Sequence, residues 1–288
     1  MASFTAGVSD LKVSVDGSAS SDPDGDSTIA SYAWDYGDGG SGSGKTDSHT
    51  YAEAGTYTVK LTVTDGGGLS DSSSKSVTVS APVVGTVAKD GFGRSVSSGW
   101  GSADVGGAWT VNSASTMSVD GGSAVARMTA GASTRQALLN AVSVRDVSVV
   151  TDFSLDKVPA GANFYGQVLA RVSGSSYYMV TARVETTGVL RVYVSKVVSG
   201  TETVLKTTVV NGFNYVAGEK LKVRFDVSGS GTASLAGKVW RSTDSEPGSP
   251  TVSVTDSTAS LQSAGALGIK FYNGNGMTSL PLTITTSD

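Results

Sequence analysis

The sequence predicts an all-β protein made of two β-sandwiches, and three observations lead to this prediction. The 288 residues include 37 glycines, which favour turns. Valine and threonine are abundant, and their branched side chains favour strands. Apolar and polar residues alternate in many short segments, as in strands with one buried face. Every apolar run is shorter than the ~18 residues of a membrane span, so no span is predicted.

Cysteine and histidine usage and the charge balance exclude several classes of function. The chain has no cysteine and one histidine, which excludes disulfide scaffolds, Cys/His zinc sites and thiol nucleophiles. The net charge of −4 argues against nucleic-acid binding, which usually requires a basic surface. Residues 1–80 hold 4 of the 21 basic and 11 of the 25 acidic groups, so the remaining 17 and 14 lie in residues 81–288. This asymmetry indicates two separate modules.

The first module has short strands at regular spacing, separated by turns rich in Asp and Gly. Alternation predicts strands over residues 11–15, 29–34, 57–63 and 77–79. In the turns between them, Asp can accept a bond from its own backbone and Gly supplies a positive φ. A small β-sandwich is the expected result.

Three segments of this module carry a family resemblance. Ser21–Gly25 reads SDPDG, Tyr32–Gly39 reads YAWDYGDG and Gly55–Val59 reads GTYTV. Together they resemble the PKD domain, whose usual WDFGDG is WDYGDG here. The resemblance covers residues 1–81 and implies an immunoglobulin-like sandwich without catalytic activity. Such domains serve as spacers or adhesion units of secreted or surface proteins.

Two features of this module invite a functional interpretation. Gly39–Thr46 satisfies the GxxxxGK[ST] pattern of phosphate-binding loops, but no helical periodicity follows it, so we interpret it as a Gly/Ser hairpin loop. The clustered carboxylates, including Asp22 and Asp24, could bind calcium or cap their own turns. His49 matches a position that is structural in the PKD family.

Pro82 follows a clear strand and cannot donate to a ladder, so residues 82–88 are the expected linker. The second module then spans residues 89–288. Alternation predicts strands over residues 147–153, 166–172, 177–184, 189–194, 221–227, 233–240, 268–272 and 282–285. A set of strands without a helical pattern predicts two packed antiparallel sheets, as in a jelly roll.

The order of features in the second module carries another resemblance. Asp90–Arg94, Gly99–Trp109, Lys238–Trp240, Asp256–Gln262 and Ala264–Gly268 resemble concanavalin-A-like (laminin-G-like) sandwiches of actinobacterial secreted proteins and phage structural proteins. Such modules bind glycans, bind proteins or stabilise an assembly. The resemblance implies that Trp100, Trp109 and Trp240 anchor the core or loops. It also implies a structural calcium near the chain ends, with Asp90 and Asp288 as the candidate ligands.

No catalytic pair is visible in the second module. A glycosidase needs two carboxylates flanking the scissile bond, and Glu185, Glu202, Glu219 and Glu246 are scattered over strand ends and loops. We therefore predict no enzymatic activity, no catalytic residues and no cofactor beyond a structural calcium ion.

The aromatic residues of the second module have two interpretations, a sugar-stacking platform or core packing. The candidates are Phe164-Tyr165, Tyr177-Tyr178, Tyr193, Phe213, Tyr215 and Phe271-Tyr272. For glycan binding we select Tyr177, Tyr178, Tyr193 and Tyr215.

The leading functional hypothesis is a non-enzymatic structural or adhesive protein of a phage virion, a capsid decoration or tail-associated component. Met1–Phe4 shows no signal peptide, which favours this hypothesis. The alternative is a carbohydrate-binding module of a secreted actinobacterial protein that is found on the surface or processes polysaccharides. The expected location is a virion surface or the extracellular space. Other virion or surface proteins, cell-surface glycans and further copies of this chain are the expected partners.

Overall fold

A computed structural model describes residues 1–22, 29–79 and 85–287, and the described chain is almost entirely β-structure. It divides into two compact units, residues 1–85 and 86–288. The expected linker, residues 82–88, falls at this division, and residues 82–84 lie outside the described part. No helix in the described ranges is long and apolar enough to cross a membrane.

The first unit is a sandwich of two small antiparallel sheets. One sheet has the order β1-β2-β5 and the other β4-β3-β6-β7. Phe4, Trp34 and Leu61 are at most 2% exposed and lie in its core. Its strands are β1 (Thr5–Ser9), β2 (Lys12–Asp16), β3 (Ile29–Asp35), β4 (Ser41–Ser43), β5 (Thr46–Thr50), β6 (Gly55–Asp65) and β7 (Ser70–Val79).

In the described part of the second unit, residues 86–287, there are fifteen strands and two short 3-10 turns, Ala114–Thr116 and Ala259–Leu261. The strands of its first half are β8 (Ser95–Val96), β9 (Thr110–Val111), β10 (Met117–Asp120), β11 (Ala124–Met128), β12 (Thr134–Val144), β13 (Val147–Leu155), β14 (Phe164–Ser173) and β15 (Ser176–Val184). The strands of its second half are β16 (Val189–Val198), β17 (Thr201–Asn214), β18 (Lys220–Ser228), β19 (Ala233–Arg241), β20 (Val252–Asp256), β21 (Gly265–Asn273) and β22 (Leu282–Thr286).

These strands form two antiparallel sheets that pack face to face as a β-sandwich. The eight-stranded sheet has the order β20-β19-β18-β13-β22-β11-β10-β8. The seven-stranded sheet has the order β17-β16-β15-β14-β21-β12-β9. Phe153, Phe164 and Phe271 meet between the sheets with ring centroids 5.7–6.2 Å apart. The predicted fold class, all-β with two unlike sandwiches, is confirmed.

A glycine allows close packing under the centre of the seven-stranded sheet. Gly166 on β14 faces the core, and a Cβ there would lie 2.5 Å from the ring of Phe153. The neighbouring residues, Tyr165 and Gln167, point to the opposite face because side chains alternate along a strand. Gly166 therefore lets Phe153 pack beneath β14 while its two neighbours face outward.

Candidate functional site

Two of the four tyrosines selected for glycan binding are buried in the second unit. Tyr178 is 0% exposed, and its hydroxyl donates to Asp256 Oδ2 at 2.8 Å. Tyr215 is 2% exposed, and its hydroxyl contacts the backbone of Leu155 and Glu219. Burial raises the pKa of both phenols, to about 12 for Tyr215. Neither ring is accessible to a ligand, so neither enters the site proposed below.

The other two, Tyr177 and Tyr193, lie on the outer face of the seven-stranded sheet. Tyr177 is 9% exposed and packs in an apolar cluster with Leu169 and Met179. Its hydroxyl accepts a hydrogen bond from Lys270 Nζ at 3.3 Å. Tyr193 is 8% exposed and lines an open groove of about 850 Å³ on the same face. Burial of the phenol is the larger cause, and the negative charge of Glu202 the smaller one, of a rise in the pKa of Tyr193 to about 12.

The groove is built from two rows of residues that run across the strands. The first row passes through paired positions on β16, β15, β14, β21 and β12, and consists of Arg191, Arg183, Tyr165, Tyr272 and Thr134. The second row lies two residues away on each of these strands and consists of Tyr193, Thr181, Gln167, Lys270 and Gln136, of which Tyr193, Gln167 and Lys270 line the groove. The groove floor therefore depends on the register of five strands.

Tyr165 and Tyr272 form the aromatic part of the first row. They are directly paired on β14 and β21, with ring centroids 5.4 Å apart and ring planes inclined at 42°. Both side chains are partly exposed. Their sequence neighbours, Phe164 and Phe271, face the core. The alternation in Phe164-Tyr165 and Phe271-Tyr272 is thus the sequence signal for two outward rings.

Gln167 in the second row carries an unpartnered buried acceptor. The residue is 5% exposed, and its Nε2 donates to Thr181 Oγ1 at 3.2 Å. Its Oε1 has no hydrogen-bond partner among the described residues. A buried polar atom without a partner is costly in a folded protein. Because Gln167 lines the groove, a hydroxyl group bound there can satisfy this oxygen.

A shared carboxylate joins two arginines at one end of the first row. Arg183 and Arg191 both donate to Glu185 Oε1, Arg191 through Nε at 3.0 Å. The hydrogen bond from Arg183 lowers the pKa of Glu185; burial opposes this effect, and Arg191 adds to it. Glu185 therefore stays ionised at neutral pH. At the other side of the groove, Glu202 Oε1 accepts from Ser195 Oγ at 2.8 Å.

Of the four aspartates predicted as calcium ligands, Asp90 is engaged in hydrogen bonds with neighbouring side chains. Both carboxylate oxygens of Asp90 accept from Arg94 at 2.7 Å, and Oδ2 also accepts from Trp109 Nε1 at 2.7 Å. Asp22 lies in the first unit, whereas Asp24 and Asp288 are outside the described residues. Within the described residues, no group of three or more His, Asp or Glu side chains could hold a metal ion. Calcium binding therefore stays a prediction.

The carboxylates of several turns in the first unit cap those turns. Asp35, Asp38 and Asp65 each accept from the backbone amide two residues later, at 2.8–2.9 Å. His49 Nε2 lies 2.7 Å from Asp38 Oδ2, and its ring stacks on Tyr36. These contacts are consistent with a structural role for His49.

The segment that matches the phosphate-loop pattern, residues 39–46, forms β4 and the start of β5. Gly44 between them has a φ of +100°, and no helix follows. The expected hairpin loop is present only at the start of the segment, where Gly39 and Gly40 lie in the turn between the antiparallel strands β3 and β4, whereas β4 and β5 belong to different sheets. The connection instead crosses from one sheet of the sandwich to the other.

The tryptophans predicted to be anchors take that role. Trp100 is 1% exposed, and its Nε1 donates to the carbonyl of Val125 at 3.2 Å. Trp109 packs edge-on against Trp100 with ring centroids 5.4 Å apart. Trp240 is 7% exposed. All three are packing or anchoring residues.

The first unit is identified by comparison with known families. A family model described as PKD domain matches residues 4–81, and this segment belongs to the PKD domain family. The PKD1 domain of Vibrio anguillarum Epp is 39% identical over 28% of this chain and 94% of that chain, with a TM-score of 0.27. Comparison of the chain with curated proteins gave no match.

The second unit has remote likenesses among solved structures. The carbohydrate binding module CBM66 from Bacillus subtilis is 12% identical over 53% of this chain and 83% of that chain, with a TM-score of 0.36. A β-1,3-glucanase from Mycobacterium marinum is 12% identical over 69% of this chain and 94% of that chain, with a TM-score of 0.44. No functional property is transferred to this chain from either structure. The chain therefore consists of a PKD domain followed by a larger two-sheet β-sandwich.

Proposed function

We propose that the second unit is a carbohydrate-binding module and that the groove on its seven-stranded sheet is the binding site. One observation carries this proposal: the partly exposed rings of Tyr165 and Tyr272 lie in the row next to the unpartnered Gln167 Oε1. A sugar can bind both to the aromatic rings and to the free acceptor oxygen. Its C–H face packs on aromatic rings, and its hydroxyl groups donate to acceptors.

The shape of the groove supports an extended ligand. The lining residues lie on five paired strands and on β17 beyond them, so the groove runs across the sheet. Adjacent strands are about 4.8 Å apart, so five strands span about 19 Å. A chain of several sugar units fits such a length. A small compact ligand would leave most of the lining groups uncovered.

The positions of the two groove glutamates favour binding without hydrolysis. The Glu185 carboxylate contacts Arg191, and the Glu202 carboxylate contacts Ser195. Both carboxylates are thus already engaged in hydrogen bonds with side chains of β16, whereas glycosidases need a pair of carboxylates that flank the scissile bond. A non-enzymatic role is therefore part of the proposal.

For the first unit we propose the role of a spacer in a surface protein. A PKD domain followed along the chain by a glycan-binding sandwich suits a secreted or surface-displayed protein in which the PKD domain acts as a spacer. The expected phage virion origin, as a decoration or tail-associated protein, has no support in the comparisons. It therefore stays a sequence-based prediction.

A glycan array followed by calorimetric titration of the tightest ligand tests this proposal. We expect the full chain to bind at least one oligosaccharide, and the variant with both Tyr165→Ala and Tyr272→Ala to lose that binding. Tyr32→Ala is the matched control, because Tyr32 is a partly buried tyrosine of the first unit. Equal binding by wild type and the double variant, or no binding to any glycan, would overturn the proposal.

A further inference from the structure

The arginine pair at the end of the groove holds more positive charge than its contacts neutralise. Arg183 and Arg191 are directly paired across β15 and β16, and like charges in such positions repel each other. Both donate to a single oxygen of Glu185. Among the described residues, the buried Arg183 Nε has no hydrogen-bond partner, and Arg191, whose side chain is 32% exposed, contacts Glu185 through Nε. One carboxylate thus serves two guanidinium groups.

A third cation of the groove also lacks a carboxylate. Lys270 Nζ contacts the Tyr177 hydroxyl at 3.3 Å and lies 5.9 Å from the centroid of the same ring, and these contacts include no carboxylate. The groove lining holds Arg183, Arg191 and Lys270, and the acidic groups beside them are Glu185 and Glu202. Three positive charges therefore face two negative ones, and Glu202 is bonded to Ser195.

The guanidinium donors are suited to a planar or tetrahedral anion. A guanidinium group presents its N–H donors in a fixed fork that matches the oxygens of a carboxylate, and it also binds sulfate-like oxyanions. Tyr165 is directly paired with Arg183 on the neighbouring strand. The strand spacing of about 4.8 Å is close to the length of one sugar ring. An acidic substituent of a sugar stacked on Tyr165 and Tyr272, or of the next sugar, thus reaches the arginine pair.

We infer that the groove selects an anionic saccharide, whose carboxylate or sulfate group binds Arg191 and Arg183. This inference rests on the proposed carbohydrate-binding function and specifies its ligand class. A bound acid relieves the repulsion between the two arginines and supplies acceptors for their N–H groups. A neutral saccharide leaves both groups without a complement.

Calorimetric titration with matched charged and neutral ligands tests the inference. The carboxylate pair is an oligogalacturonate and its fully methyl-esterified form, and the sulfate pair is dextran sulfate and dextran. We expect at least one charged ligand to bind about tenfold or more tighter than its neutral match, corresponding to ~1.4 kcal/mol. The arm that binds identifies the source of the charge. We also expect the affinity to fall as salt is added.

Variants separate specific recognition from general attraction between charges. Arg191→Gln should reduce the affinity for the charged ligand at least about tenfold, as expected for the loss of a charge-assisted bond. Arg127→Gln is the matched control, because Arg127 is an exposed arginine on β11 of the other sheet. Equal losses in the two variants would overturn the inference.

The ligand pairs also distinguish failure of the inference from failure of the proposed function. Equal binding of charged and neutral saccharides, lost on Tyr165→Ala with Tyr272→Ala, would overturn the selection of anions and leave the carbohydrate-binding function intact. Absence of binding in both ligand pairs and on the glycan array would overturn both.

Discussion

Tyr165 on β14 and Tyr272 on β21 are directly paired, and their ring centroids are 5.4 Å apart. Both rings lie on the outer face of the seven-stranded sheet. The phenylalanine that precedes each of them lies in the core. Each of the two strands therefore directs one aromatic ring into the core and the next one to the outer face of the sheet. The outer pair forms the aromatic part of the groove.

If this pair acts by stacking, its rings matter more than its hydroxyl groups. We expect Tyr165→Phe to keep the affinity for the tightest glycan within about threefold, and Tyr165→Ala to reduce it about tenfold or more, because an aromatic contact contributes ~1 kcal/mol beyond its buried area. Calorimetric titration of both variants measures the difference. Equal losses for Phe and Ala would indicate that the hydroxyl group is the contact and would contradict stacking.

A substitution at Gln167 should affect glycan affinity much more than the free energy of unfolding. Gln167→Met removes the unpartnered acceptor and fills nearly the same volume, so we expect a change in unfolding free energy below about 1 kcal/mol. The same variant should bind the glycan about fivefold or more weakly, because it lacks the buried acceptor. Denaturant unfolding and titration of one sample provide both values. Loss of stability with unchanged affinity would assign Gln167 to folding alone.

Arg171 stabilises the second unit through backbone contacts. Its side chain is fully buried and donates to the carbonyl oxygens of Arg145, Leu261 and Gly229 at 2.7–3.0 Å. Arg171→Met leaves these acceptors without the donor, so we expect a loss of about 3 kcal/mol in unfolding free energy. Arg127→Met, at an exposed position on β11, should cost less than about 0.5 kcal/mol. Similar losses from both variants would contradict this account.

Asp256 makes the second unit sensitive to acid. Burial opposes its ionisation, but hydrogen bonds from Lys196, Thr258 and Tyr178 outweigh burial and lower its pKa to about 2, below the ordinary 3.8. A carboxylate with a lowered pKa stabilises the folded state above its unfolded pKa, and this stability is lost as the pH falls toward 2. Asp256→Asn should therefore be less stable than wild type at pH 5, with the difference shrinking toward pH 2.

Thermal unfolding of wild type and Asp256→Asn between pH 5 and pH 2 measures this effect. Asp120→Asn is the control, because Asp120 is exposed at the end of β10. Its melting temperature should follow that of wild type throughout. A difference between wild type and Asp256→Asn that stays constant over the whole range would contradict the assigned pKa.

Strands with one buried face could be predicted from the sequence, whereas edge strands could not. Residues 221–227 alternate clearly, and β18 follows them because every second side chain enters the core. β17 spans fourteen residues at the sheet edge, and most of its side chains are exposed on both faces. It therefore lacks the alternation that marks a half-buried strand.

The residue types of the site were visible in the sequence, but their arrangement was not. Tyr177 and Tyr178 are adjacent, and the sequence alone does not show which ring faces the core. Tyr165, Arg183 and Arg191 meet because three strands pair in one register. Register is set by the burial of whole strands, so a local pattern does not specify which outward residues become neighbours.

The most direct test of the carbohydrate site is a crystal structure of the full chain with the tightest-binding oligosaccharide. The account predicts a sugar ring against Tyr165 and Tyr272 and a sugar hydroxyl within hydrogen-bond distance of Gln167 Oε1. A saccharide bound on the eight-stranded sheet, on the loops or on the PKD domain, with this groove empty, would contradict it.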